Sequence, residues 1–171
     1  MASELNVLRA LRHPGQEYPF SADVVLEDME FSGDPISFRD IKVEGIMMGA
    51  EERVSVRAEV AAVMKSHCFR CLEDVEMPIK ALVDAEFAKV EDPDDPDLYV
   101  FEASTIELTD AVRDALVMEI PTRIICSEDC KGLCPTCGVN RNKVSCTCQE
   151  GGEVTNPFAA LKSIVLNDEE V

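Results

Sequence analysis

The sequence predicts an α+β fold: an antiparallel, barrel-like β-sheet, two helices and a cysteine-rich segment near the C-terminus. Three observations carry this. Long stretches of the first half alternate apolar and polar residues with the period of two of a half-buried strand. Two later stretches space their apolar residues as an amphipathic helix does. Six of the eight cysteines crowd into residues 126–148. The expected division is a β body with one helix over 1–120, a cysteine-rich segment over 121–150, and a terminal helix within 151–171 that packs back on the body.

The first strand falls within Tyr18 to Leu26, around the β-branched run Ala22-Asp-Val-Val-Leu26. A second covers parts of Ile36 to Met48, where Ile41 and Val43 alternate with Lys42 and Glu44. Gly49-Ala-Glu-Glu52 reads as a turn. Val54, Val56, Ala58 and Val60 then alternate with Ser55, Arg57 and Glu59, and Val75 to Phe87 resume the same period. Two strands of similar length flanking Cys68-Phe-Arg-Cys71 predict a long hairpin with the cysteine turn at its tip. Glu91-Asp-Pro-Asp-Asp-Pro-Asp97 is a loop, since two prolines and like charges disfavour strand and helix interiors. Leu108 to Met118 is a helix whose face is Leu108, Ala111, Val112, Ala115 and Leu116, stopped by Pro121. After Gly151-Gly152, Asn156 caps a final helix with Pro157 at its first position and Phe158, Leu161, Ile164 and Val165 on its apolar face.

Composition narrows the functions. Charged residues sum to −18. A protein of that charge repels bulk nucleic acid and attracts basic partners. The cysteine-rich segment departs from this trend. Between Pro121 and Cys148, Arg123, Lys131, Arg141 and Lys143 face only Glu128 and Asp129, so these four cations are the candidate RNA contacts. No apolar run approaches the roughly 20 residues needed to span a bilayer. The N-terminus has no secretory h-region, so a cytoplasmic location is expected and no membrane partner. No phosphate-cradling loop, dinucleotide fingerprint or His-Glu-x-x-His is present, so neither an enzyme nor a small-molecule substrate is expected.

In a reducing compartment, paired cysteines read as metal ligands or redox thiols rather than disulfides. Cys134-Pro-Thr-Cys137-Gly138 followed by Cys146-Thr-Cys148 has the spacing Cys-x2-Cys-x8-Cys-x-Cys. Two cysteines in a tight turn reach one ion, and the following pair completes a tetrahedron of soft donors. Gly138, directly after the second cysteine, can take the positive φ such a turn needs. Cys68 and Cys71 form a second knuckle that needs two partners, which Cys126 and Cys130 can supply. A competing division places Cys130 with the first set and leaves Cys126 or Cys148 free. Structural Zn2+ is the default ion, although iron takes the same four-sulfur geometry. Neither Cys-x2-Cys opens a helix after a strand, which a dithiol oxidoreductase would require. His67 adjoins Cys68, but neighbours in a strand face opposite ways, so it is expected outside the site.

The run Cys126-Ser-Glu-Asp-Cys130-Lys-Gly-Leu-Cys134-Pro-Thr-Cys137-Gly-Val-Asn-Arg-Asn142, followed by Cys146-x-Cys148, resembles the signature of the YceD family, the large ribosomal RNA subunit accumulation proteins. Cys68-Phe-Arg-Cys71 and Asn156-Pro-Phe-Ala-x-Leu161 are similar to that family too, so the resemblance spans nearly the whole chain. It implies a non-catalytic factor that supports accumulation of large-subunit (23S) ribosomal RNA. Its partner would be a basic ribosomal protein or rRNA-processing factor held by the acidic body, or ribosomal RNA held by the cysteine-rich segment. A redox-responsive zinc switch or adaptor is the alternative from another class.

Overall fold

A computed structural model describes residues 3–148. The expected terminal helix, with Asn156 to Val165, lies outside the described residues. The elements run β1 Glu4–Asn6, α1 Leu8–Arg12, β2 Glu17–Val24, β3 Met29–Phe31, β4 Asp34–Ala50, β5 Arg53–His67, β6 Asp74–Ala88, β7 Tyr99–Val100, β8 Thr105–Glu107 and α2 Thr109–Met118.

The main sheet has the order β2-β4-β5-β6-β7, with β3 paired to the start of β4. All its pairings are antiparallel except β6 with β7. The expected barrel does not form. Among the described residues β2 and β7 stand at opposite ends of the strand order and do not pair. The reason is that the buried face finds another cover. Val54, Val56, Ala58, Val60, Ala62 and Met64 of β5 are buried, as are Ile79, Ala81, Val83, Ala85 and Phe87 of β6. They join one core with Val7, Ile106, Val112, Leu116 and Ile124. Helices lie on one face, so the sheet buries that face without closing on itself. The opposite face stays in water, with Leu82 75% exposed between the buried Ala81 and Val83.

The long hairpin is as the alternation predicts. Arg53 pairs with Ala88 at its base and His67 with Asp74 at its far end. The turn before it is tighter than Gly49–Glu52: Gly49 and Ala50 remain in β4, and Glu51 takes a left-handed φ of 55°. β4 hides a break in its alternation. The register shifts between Arg39 and Lys42, and Asp40 has a φ of 52°. This bulge inserts one residue, so Phe38 and Ile41 both reach the core despite their odd spacing.

Helix α2 buries Ala111, Val112 and Leu116, the face read from the sequence, and ends at Met118, before Pro121. Tyr99 ties it to the sheet edge: its ring stacks on Phe87 at 5.3 Å and its hydroxyl donates to Asp114 Oδ2 at 2.9 Å. The acidic loop is pinned at one point. Arg53 pairs with Asp92 at 3.1 Å and Asp95 at 3.6 Å.

Helix α1 was not expected, and Gly49 decides where it lies. A Cβ on Gly49 would collide with the Ala10 carbonyl and stand 3.0 Å from the Leu11 nitrogen. Only a residue without a side chain lets α1 rest on β4. Gly49→Ala is therefore expected to displace α1 and cost about 1–3 kcal/mol, the range for overpacking a tight contact. Urea unfolding monitored by circular dichroism checks this.

Candidate metal centre

The hairpin tip, residues 68–73, turns back on itself at once. The Cys68 N–H donates to the Glu73 carbonyl at 2.8 Å and the Leu72 N–H to the Cys68 carbonyl at 2.9 Å. The turn is tight enough that Leu72 adopts a φ of 59°. The segment after α2 then runs past the tip and is stitched to it. The Phe69 N–H donates to the Ile124 carbonyl and the Leu133 N–H to the Arg70 carbonyl, each at 2.9 Å. Arg70 Nη1 donates to the carbonyls of Cys130 at 3.0 Å and Glu128 at 3.3 Å.

This stitching divides the cysteines into two groups. Cys68, Cys71, Cys126 and Cys130 bring their sulfurs within 4.8 Å of one another, and so do Cys134, Cys137, Cys146 and Cys148. The first of the two divisions read from the sequence is the one the fold adopts, and no cysteine is left over. His67 stands outside the first group and pairs with Asp74 at 3.2 Å.

The distances fit a tetrahedral ion. Four sulfurs about 2.3 Å from a common centre lie about 3.8 Å apart along each edge. Cys68 Sγ and Cys130 Sγ are 3.9 Å apart, and Cys71 Sγ and Cys126 Sγ 3.6 Å. The groups differ in setting. Cys68, Cys71 and Cys130 are buried and form their own small core, whereas in the second group only Cys134 is buried and Cys137 is exposed. The first group spans more than fifty residues of chain, and the second closes within fifteen.

The donor chemistry points the same way. Burial opposes a charge on Cys68, but backbone N–H groups of Cys126, Arg70 and Cys71 outweigh it and bring the thiol down to about 6. The N–H groups of Cys137 and Thr136 lower Cys134 to about 6. Cys126, hydrogen-bonded to Cys130 and Cys71, is pushed up to about 12, and Cys148, beside Cys137, likewise. Cys130 is lowered too, chiefly by the side-chain hydrogen bond from Asn142, so each group sets at least one thiol drawn toward the thiolate beside at least one pushed the other way. Four thiolates this close repel one another, and a soft divalent cation is what removes that repulsion. Both groups could hold a metal ion.

A polar layer supports the first group from the second. Asn142 Nδ2 donates to Cys130 Sγ at 3.3 Å, and Asn142 Oδ1 accepts from the Lys131 N–H at 2.8 Å. Asn140 Nδ2 donates to Glu73 Oε1 at 3.1 Å, and Lys143 Nζ reaches Glu73 Oε2 at 2.7 Å. Arg70, Glu73, Asn140 and Asn142 were missed in the sequence. Their signal was present: a charged residue inside one knuckle and another just after it, and an Asn-x-Asn three residues beyond the other. Gly138 takes its expected positive φ, 73°.

The four cations read as RNA contacts have different surroundings. Lys131 and Arg141 line a hollow of about 320 Å3 beside Cys134, Cys146 and Cys148. Lys143 is engaged with Glu73, and Arg123 lies exposed next to the buried Ile124.

A family model described as "Large ribosomal RNA subunit accumulation protein YceD" matches residues 56–165, which include all eight cysteines. The chain belongs to the YceD family. It is similar to the protein YlbN of Bacillus subtilis, 27% identical over 161 residues that cover 92% of this chain and 93% of that protein. A protein of Mycobacterium tuberculosis is 29% identical over 146 residues, covering 79% and 69%. The chloroplastic "Large ribosomal RNA subunit accumulation protein YCED homolog 1" of Zea mays is 44% identical over 45 residues, 26% of this chain and 15% of that protein. No solved structure matches. Among the described residues no helix is long and apolar enough to cross a membrane.

For this YceD-family chain, Asn142→Ala removes a donor to a sulfur while leaving all eight cysteines in place. Losing such an outer partner typically costs 10–100-fold in metal affinity. Competition with a chromophoric chelator is expected to show one weakened site and one unchanged.

Proposed function

We propose that this chain is a non-catalytic factor supporting accumulation of large-subunit ribosomal RNA, built as a zinc-stabilised scaffold that works in the cytoplasm. Its acidic body holds a basic ribosomal protein or rRNA-processing factor. Family membership supports the ribosomal role. The observation that carries the scaffold reading is the closure of both sulfur groups: four protein donors each, which leaves an ion no open position for chemistry. Zinc is the proposed ion because four thiolates suit it and structural sites need no redox change. The ligands are Cys68, Cys71, Cys126 and Cys130 in one site, and Cys134, Cys137, Cys146 and Cys148 in the other.

The test has two parts. Elemental analysis of anaerobically purified protein is expected to find two zinc ions per chain. Cells lacking the protein are expected to accumulate less large-subunit rRNA, restored by the wild type but not by a variant without Cys68 and Cys71. Unchanged rRNA in the deletion strain would overturn the reading.

A second reading, direct RNA contact, draws on the hollow shared by Lys131 and Arg141. A salt-dependent gel shift with rRNA fragments distinguishes it: binding lost in the Lys131→Ala/Arg141→Ala double variant supports RNA, and binding only to basic protein supports the acidic body. The redox-switch alternative draws on the exposure of Cys126 and Cys137. It requires zinc release by mild peroxide together with a change in partner affinity.

A further inference from the structure

The hairpin tip does more than carry ligands. Phe69, between Cys68 and Cys71, is 46% exposed, and Phe31 at the end of β3 is 37% exposed. Both line one crevice of about 290 Å3 with Ile36, Ile120, Ile124 and Asp34. Exposed phenylalanine is costly in water at about 25 cal/mol per Å2, and here two such rings flank one hollow.

Both walls are held in place. Ser32 and Gly33 have φ of 54° and 89°, the left-handed pair of a tight two-residue hairpin turn. That turn sets Phe31 directly opposite Asp34, and directly opposed residues share a face. The other wall is fixed by the Phe69 N–H bond to the Ile124 carbonyl at 2.9 Å. Phe69 itself lies in the turn between Cys68 and Cys71 of the first sulfur group.

We propose that this crevice is the docking point for a partner protein, and that it takes one aliphatic or aromatic side chain projecting from a lysine- and arginine-rich segment. This rests on the scaffold reading above and names its surface. Charge decides the occupant. Asp34 is the one charged residue that lines the crevice, within a chain of net charge −18. An RNA base could stack on the rings, but its phosphates would meet this carboxylate and the negative field of the chain. Basic side chains flanking an apolar anchor meet them favourably.

The experiment uses the full zinc-loaded chain, immobilised, and two probes from purified bacterial large ribosomal subunits: the extracted proteins and the extracted rRNA. Retention of one or a few basic proteins is expected, weakened at least tenfold by Phe31→Ser and by Phe69→Ser, and weakened by salt. Leu82→Ser, on the other face of the sheet, should leave retention unchanged. Metal content and thermal midpoint of each variant confirm that it is folded, and Phe31 stands outside the cysteine knuckle. Protein retention that ignores both phenylalanines overturns the crevice proposal alone. Retention of rRNA in a phenylalanine-dependent manner also overturns it, in favour of base stacking. No retention of any large-subunit protein overturns the crevice proposal together with the ribosomal-protein form of the acidic-body reading on which it rests.

Discussion

Serine at Cys68 and Cys71 is expected to reduce bound zinc from two ions per chain to one and to loosen residues 119–148 from the sheet. The magnitude follows from what the first site joins. Cys68 is fully buried and Cys71 and Cys130 nearly so. Their sulfurs link the tip of a hairpin to a segment more than fifty residues later. Structural zinc contributes about 10–16 kcal/mol of apparent folding free energy in small domains. Here the sheet and α2 have their own core, so only part of that is felt globally. The segment from Ile120 to Leu133 has few apolar contacts besides Ile124, and it should exchange its amide hydrogens freely once the first ion is gone, while residues 134–148 keep the order their own ion gives them. Hydrogen exchange with mass spectrometry reads this directly. Full protection of residues 120–133 in the double variant would show that the site is not a clamp. The same variant should lose the crevice, because Phe69 is carried by the same turn.

Serine at Cys134 and Cys137 is expected to give the opposite distribution of damage. One zinc is again lost, but the unfolding midpoint of the sheet should stay near the wild-type value. The second site closes within residues 134–148, so its ion orders only a local loop. Its links to the body include the Leu133 bond to Arg70, the Glu73 contacts of Asn140 and Lys143, and the Asn142 bond to Cys130. Surface ion pairs and single hydrogen bonds of this kind contribute about 1 kcal/mol or less each. Elemental analysis beside urea unfolding separates the two variants: equal zinc loss with unequal loss of stability is the expected result. Equal destabilisation would mean that both sites brace the same structure.

Much of this architecture is legible locally. The period of two in Val54–Val60 and Val75–Phe87 marks the hairpin because a strand exposes alternate residues to core and water. The spacing Leu108, Ala111, Val112, Ala115, Leu116 marks α2 for the same reason at another period. Helix α1 is five residues long, too short for any periodicity to emerge. β1 and β8 are three residues each and pair across about a hundred residues, as Leu5 with Ile106, which nothing in either triplet announces. The bulge at Asp40 breaks the alternation of β4 so that the strand reads as weaker than it is.

Cysteine spacing by itself determined that thiolates would gather, because Cys-x2-Cys turns bring two sulfurs to one point whatever surrounds them. The grouping of the eight cysteines was settled only by tertiary structure. The partners of Cys68 and Cys71 depend on where the hairpin tip meets the segment after α2, and that meeting follows from the core packing of α2 and Ile124. The openness of the sheet has the same origin: a strand records that one face must be buried, but whether helices or a second wall of strands cover it depends on the rest of the chain.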